Sequence, residues 1–455
     1  MKLNEEIQAH MAEEIAALQA LLRIRSVENR GENGTVFGQG AQDCLDECLA
    51  LSERLGFIAR DVDRYCGYAE YGSGGEMIVV LGHLDVVPEG GGWTHPPYGA
   101  EIADGKLYGR GAIDDKGPMI AALYALRAIR ACGVPLRRRI RILFGINEET
   151  GSECVKHYVQ SGQELPVMGF TPDGNFPIIN GEKGIAVAEY TTSLPQTARS
   201  IRSFEGGAAF NMVPANACAI LNWPENERAA VCAMAEPGIR ITTVDGGLQI
   251  EADGVSAHGS TPEKGVNAIV RLAAFLCKLP LDEASAHFVD FLRRHFAHGT
   301  HGEALGIALE DAVSGSMVVN LGTARTENGA VTLCINLRCP VTFGEADFHP
   351  ALSAAMAAGS FAETAFRFED ALYLPPDAPL IRKLQKVYEQ QTGQPAELLC
   401  IGGGTYAKSM PNTVAFGPIF PGEPCVEHEP DESISLESLR RCTEIFAAAM
   451  VALAG

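Results

Sequence analysis

The chain is predicted to be an α/β protein whose mainly parallel mixed sheet, flanked by helices, is interrupted by an inserted α+β domain. Three observations predict this. "MIVVLG", residues 77–82, is a continuous apolar run, the mark of a strand buried on both faces. Helical and strand patterns alternate after it. Near Gly184 the texture turns strand-rich, and it returns to a helix and a buried strand after residue 372.

The elements follow in order. "MKLNEEIQAHMAEEIAALQALLRI" has the pattern of an acidic amphipathic helix and carries no cleavable signal pattern. Residues 117–132 repeat with a helical period. Met119, Leu123, Leu126 and Ile129 fall on one side, Arg127 and Arg130 on the other, and Gly133 is a stop. "RIRILFGI" and "VMGFTPD" are the next strands. "IAVAEYTTSL" opens the insertion, which has a helix over roughly 262–279 and a strand at "VTLCINLRC". "YLPPDAPLIRKLQKVYEQQTG" places prolines before a long helix, and "TVAFGPIF" is a last buried strand. The expected division is 1–183 with 373–455 for one domain and 184–372 for the insertion. No internal repeat or low-complexity tract interrupts this order.

Composition excludes several classes of function. A formal charge of −21 opposes nucleic acid and anionic membrane as partners, because phosphates are repelled. The apolar "IFAAAMVALAG" is too short to span a bilayer. The 13 cysteines are odd in number and scattered, without zinc-ribbon spacing. Thiols kept reduced in a cytoplasm are expected, with Cys44 and Cys48 as packing residues.

Five polar groups stand just past the ends of predicted strands, the edge where open α/β sheets bind ligands. They are His83 with Asp85, Asp114 with Asp115, Glu148 with Glu149, Asp173, and His428. Imidazoles and carboxylates without thiolates suit a catalytic metal site rather than a structural zinc knot. Two zinc ions with three protein ligands each need six ligations, so two histidines and three carboxylates suffice only if one carboxylate bridges. A shared water would complete both shells as the nucleophile, and one further carboxylate must take its proton. On an extended strand end Glu148 and Glu149 would point in opposite directions and could divide these tasks. Asp115 is expected to orient Lys116 or a backbone group.

"GHLDVVP", "GRGAIDDKG", "NEETGSE" and the distant His428 resemble the signature of the di-zinc aminoacylase/carboxypeptidase family. "GGWTHPPYG", "INGEKG", "GGGTYAK" and "EHE" are similar to its V-type branch, the Xaa-His dipeptidases. The resemblance implies that His83 and Asp173 hold one zinc, that Glu149 and His428 hold the other, and that Asp114 bridges them. Cobalt or manganese would suit the same donors. It further implies Glu148 as general base, Asp85 accepting the free ring N–H of His83, and a cis peptide between Asp114 and Asp115. The insertion matches a lid. There His258 reaches the oxyanion, and Asn211 and Arg338 bind the substrate's terminal carboxylate, with Gly403 and Thr405 on the "GGGTYAK" loop. That loop departs from the family in Lys408, where arginine is often seen. A lid this large resembles the branch that supplies its histidine in cis, which implies a functional monomer.

The implied activity is hydrolysis of small dipeptides. Two alternatives share the pattern: an amidohydrolase of N-acylated amino acids and a metal-binding regulatory homologue. His295, His298 and His301 are spaced by three, but Gly299 and Thr300 interrupt any helix there, so they are expected to be surface histidines.

Overall fold

The computed structural model describes residues 2–455; Met1, the first residue of the predicted N-terminal helix, lies outside the described residues. The chain forms two compact units. The first comprises residues 2–180, Tyr373–Leu399 and Gly404–Gly455; the second comprises Gly181–Leu372 and Cys400–Gly403.

In the first unit, strands Arg139–Gly145, Met77–His83, Met168–Thr171 and Thr413–Ala415 lie side by side and parallel. Antiparallel strands extend this core, with Cys66–Tyr71 and Ile58–Val62 on one side and Ile178–Glu182 on the other. Every residue of Met77–His83 is buried, as its unbroken apolar run requires. The helix Lys116–Ala131 buries Met119, Leu123, Leu126 and Ile129 while Arg130 is exposed, and Gly133 takes a left-handed φ of 60° just past its end. Cys44 and Cys48 are packed inside the helix Gln39–Arg54.

The helix Lys2–Leu22 carries an acidic residue on its buried face. Glu14 is 1% exposed, and its carboxyl meets Thr443 Oγ1 at 2.7 Å. Burial pushes its pKa up to about 8, so the folded chain keeps a proton there that the unfolded chain has lost. The stabilisation is therefore full below the ordinary carboxylate range and is lost as pH rises towards 8. Glu14→Gln keeps an acceptor for Thr443 without the charge. It should match the parent at pH 4.5 and exceed it at pH 8.5 by roughly 4 kcal/mol. Denaturant melts of both chains at the two pH values check this, and an equal gap at both would refute it.

The second unit is built on an eight-stranded sheet ordered Ile239–Val244, Gly247–Asp253, Asn216–Asn222, Ile201–Gly206, Val318–Glu327, Ala330–Cys339, Gly184–Ser193 and Ala362–Glu369. All its paired neighbours are antiparallel. Apolar residues of Ala268–Leu276, Glu283–Phe296 and Glu345–Ala358 join those of the strands in its core. The helix expected over 262–279 is shorter than the periodicity suggested. Gly265 is extended, and the Asn267 side chain caps the backbone N–H groups of Ile269 and Val270, so the helix starts at Ala268.

Candidate metal centre

Three strand ends of the first unit converge. His83 closes its strand, Asp173 lies two residues beyond Thr171, and Glu148 and Glu149 follow Gly145. Asp114 sits in the loop ahead of the helix Lys116–Ala131, and the Asp114–Asp115 peptide is cis.

The Asp114 carboxylate is shared between two imidazoles. Its Oδ1 lies 2.8 Å from His83 Nε2, and its Oδ2 lies 2.9 Å from His428 Nε2. His428 Nε2 is also 3.2 Å from Glu149 Oε1, and His83 Nε2 is 3.9 Å from Asp173 Oδ2. His83, Asp114 and Glu149 have donor atoms close enough to surround one ion, as do His83, Glu148 and Asp173. Burial opposes charge on Asp114, yet the His428 and His83 rings hold it well below the ordinary carboxylate range. Burial and then the Asp173 carboxylate push Glu148 well above that range. Four carboxylates and two imidazoles, with this crowding of negative charge, fit divalent cations.

His83 Nδ1 lies 2.9 Å from the carbonyl oxygen of Asp85. A carbonyl only accepts, so Nδ1 carries a proton and Nε2 is directed towards Asp114. This corrects one expectation, because the ring N–H goes to the Asp85 backbone and the Asp85 carboxylate is 3.6 Å away. That carboxylate instead accepts the backbone N–H groups of Glu148 at 3.0 Å and Glu149 at 3.1 Å.

The same bonds correct the expected extended geometry at Glu148 and Glu149. The pair occupies a turn, closed by Ser152 N–H to Asn147 O at 2.7 Å and Gly151 N–H to Glu148 O at 3.2 Å. Asp85 satisfies the turn's two amides, and Asn147 reaches Glu28 through Nδ2 at 2.9 Å. Turn geometry, rather than strand alternation, therefore directs the two glutamates. Asp115 receives the backbone N–H of His83 at 3.2 Å. Lys116 donates elsewhere, to Leu21 O and Ile24 O. A Cβ on Gly82 would stand 2.0 Å from Asp115 Oδ2, so only glycine admits this approach.

Sequence reasoning assigned no role to Tyr406, Arg110 or Glu432. Tyr406 is fully buried, its ring edge-on to His83 and its hydroxyl 2.8 Å from Cys154 Sγ. Its signal was only its place inside "GGGTYAK". Arg110 and Glu432 form a buried ion pair at 2.6 Å; the only signal for Arg110 was its place inside "GRGAIDDKG".

In the second unit, Arg338 is 4% exposed. Its Nε donates to Asn336 Oδ1 at 3.2 Å and its Nη1 to Gly402 O at 2.8 Å. No ion pair involves it among the described residues, so a strand salt bridge does not explain it. Burial lowers its pKa to about 10. Asn211 is held by its backbone. Its carbonyl accepts Gly259 N–H at 2.6 Å, and Asn320 Nδ2 bonds the flanking carbonyls of Phe210 and Met212. His258 is exposed; its Nδ1 lies 2.6 Å from Ser260 Oγ and 3.3 Å from Ser260 N. Gly403 belongs to this unit and Thr405 to the first, where Thr405 Oγ1 accepts Ala407 N–H. His295 stacks on Phe291 and His301 bonds Met317 O. Neither joins a metal-holding group among the described residues.

The sequence profile of Peptidase family M20/M25/M40 matches residues 79–452. The chain belongs to that family. As a member it is a hydrolase, a metallopeptidase. It is 39% identical over 468 residues to the Bacillus subtilis (strain 168) protein named "Putative dipeptidase YtjP", covering 99% of this chain and all of that one. A Staphylococcus haemolyticus (strain JCSC1435) relative that also carries a dipeptidase name is 33% identical, with 99% of each chain covered. Among solved structures, human carnosine dipeptidase 1 has a TM-score of 0.58 at 18% identity, covering 100% of this chain and 99% of that one. The aminoacylhistidine dipeptidase of Vibrio alginolyticus has a TM-score of 0.57 at 14% identity, with 96% of each chain covered. At these identities the two structures show a shared fold. No helix among the described residues is long and apolar enough to cross a membrane.

Proposed function

We propose that this family member is a dipeptidase that uses two zinc ions. The observation that carries this reading is the Asp114 carboxylate, with one oxygen on each of two imidazoles and Glu148 beside His83 and Asp173. His83 and Asp173 would hold one ion, Glu149 and His428 the other, and Asp114 both. When bound, such ions polarise a carbonyl and acidify water.

The chain's own residues do the rest. Glu148 takes the proton of the attacking water on a carboxylate oxygen and returns it to the leaving amine. Asp85 keeps Glu148 and Glu149 in place by bonding their amides. In the second unit His258 is assigned to the oxyanion. Arg338 and Asn211 are assigned to the terminal carboxylate of the substrate, with Gly403 and Thr405 on the adjoining loop. A buried guanidinium in no ion pair among the described residues supports an anionic end group as its ligand. His258 is supplied in cis in this reading, so the working unit is a monomer. Its thiol usage supports the cytoplasm as its compartment.

A panel of free-amino dipeptides and N-acetyl amino acids, assayed on metal-analysed protein, tests the reading. Dipeptides are expected to be cleaved. Cleavage of the blocked substrates alone would make the protein an N-acyl-amino-acid amidohydrolase, and metal binding without turnover of either would favour a regulatory homologue.

A further inference from the structure

The two proposed ligands that share one ion, Asp114 and His428, lie on loops that meet at a single buried ion pair. Glu432 is 0% exposed and Arg110 is 1% exposed. Glu432 Oε1 accepts three backbone N–H groups of the Asp114 loop: Gly111 at 3.0 Å, Ile113 at 3.1 Å and Asp114 itself at 3.3 Å. Glu432 Oε2 receives Arg110 Nη1 at 2.6 Å. The other arm of that guanidinium, Nη2, donates to the carbonyl oxygen of His428 at 3.1 Å.

The register explains why these groups meet. Ser433–Ser435 pairs antiparallel with Lys106–Tyr108, and Gly109 N–H continues the ladder to Glu432 O at 2.9 Å. This brings the His428 loop alongside the Asp114 loop. His428 has a left-handed φ of 65°, and its side chain is 51% exposed. Packing therefore does little to fix its imidazole, and its backbone must be held instead. Asp431, also left-handed at φ 58°, pins the far side of the loop by accepting Thr94 N–H at 2.8 Å and His95 N–H at 3.0 Å.

We propose that Glu432 and Arg110 are positioning residues that lock the Asp114 and His428 loops together and so set the spacing of the ion those two residues share. The inference rests on the reading of Asp114 and His428 as ligands. The planar guanidinium suits this task because its two arms reach a carboxylate and a carbonyl at once, which an ammonium cannot do with the same fixed geometry. Groups that orient ligands in this way govern metal affinity by about 10- to 100-fold.

The test is titration of the metal-free protein with cobalt(II), followed by visible absorption, chelator competition and dipeptide kinetics. Glu432→Gln removes the charge and turns a donor towards Arg110. Arg110→Lys keeps a cation beside Glu432 but loses the fork, and it decides the matter should Glu432→Gln not fold. Either folded variant should bind one cobalt equivalent like the parent and the other at least about tenfold more weakly. The absorption bands of that equivalent should change, and kcat should fall while KM stays within about twofold. Two equivalents bound with parental affinity and spectrum would overturn the proposal. His428→Ala separates the readings. If it too leaves both equivalents intact, the ligand assignment fails; if it weakens one while Glu432→Gln and Arg110→Lys weaken none, only the joint fails.

Discussion

Glu148→Ala should leave both metal equivalents bound and lower kcat about a thousandfold. The side chain sits in the group formed with His83 and Asp173, and burial with the neighbouring Asp173 charge raises its proton affinity well above that of an ordinary carboxylate. A carboxylate so placed is a strong base for water and a competent acid for the leaving amine. Its turn is held by Asp85 through backbone amides, which the substitution leaves in place. Glu149→Ala, one residue on, should do the reverse and deplete metal first, since Glu149 Oε1 faces His428 Nε2 at 3.2 Å. Metal analysis after dialysis, with kcat on a cleaved dipeptide, distinguishes the two. Near-parental turnover by Glu148→Ala would remove it as the base.

Asp114→Ala should weaken both equivalents at least about a hundredfold, beyond what loss of a merely supporting group costs. Its two oxygens face His83 and His428 separately, so no other side chain of the group can compensate at both positions. The substitution also leaves four backbone N–H groups around Glu432 unchanged in partner, because Gly111, Ile113, Asp114 and Gly109 bond through their main chain. The fold should therefore survive with the site emptied. Chelator competition reads the affinities, and retention of two equivalents after dialysis would dismiss Asp114 as the bridge.

Much of the centre was legible in the sequence because polar residues at the ends of apolar runs are conspicuous. His83 follows "MIVVLG", Glu148 and Glu149 follow "RILFGI", and both blocks end where the parallel strands end. His428 is different. Expected just past a strand end, it lies in the loop between Thr413–Ala415 and Ser433–Ser435 and is exposed, and its assignment as a ligand came through family resemblance. Its place beside Asp114 depends on the pairing of Ser433–Ser435 with Lys106–Tyr108, a contact between distant parts of the chain.

The supporting bonds were not legible at all. Asp85 looked like a carboxylate for the His83 ring, yet its backbone carbonyl takes that role and its side chain serves the Glu148 turn. Which atom of a residue is used depends on local backbone direction, which residue type does not reveal.

By itself the sequence determined the alternation of strands and helices, the insertion of a strand-rich segment, and the set of imidazoles and carboxylates offered at strand ends. These follow from periodicity and residue chemistry, which are local. Only the tertiary structure decided that Glu148 and Glu149 diverge from a turn, that Asp114 presents one oxygen to each histidine, and that Arg110 and Glu432 tie the two loops. Each of these depends on register and long-range hydrogen bonding, which bring together residues with no periodic relation in the chain.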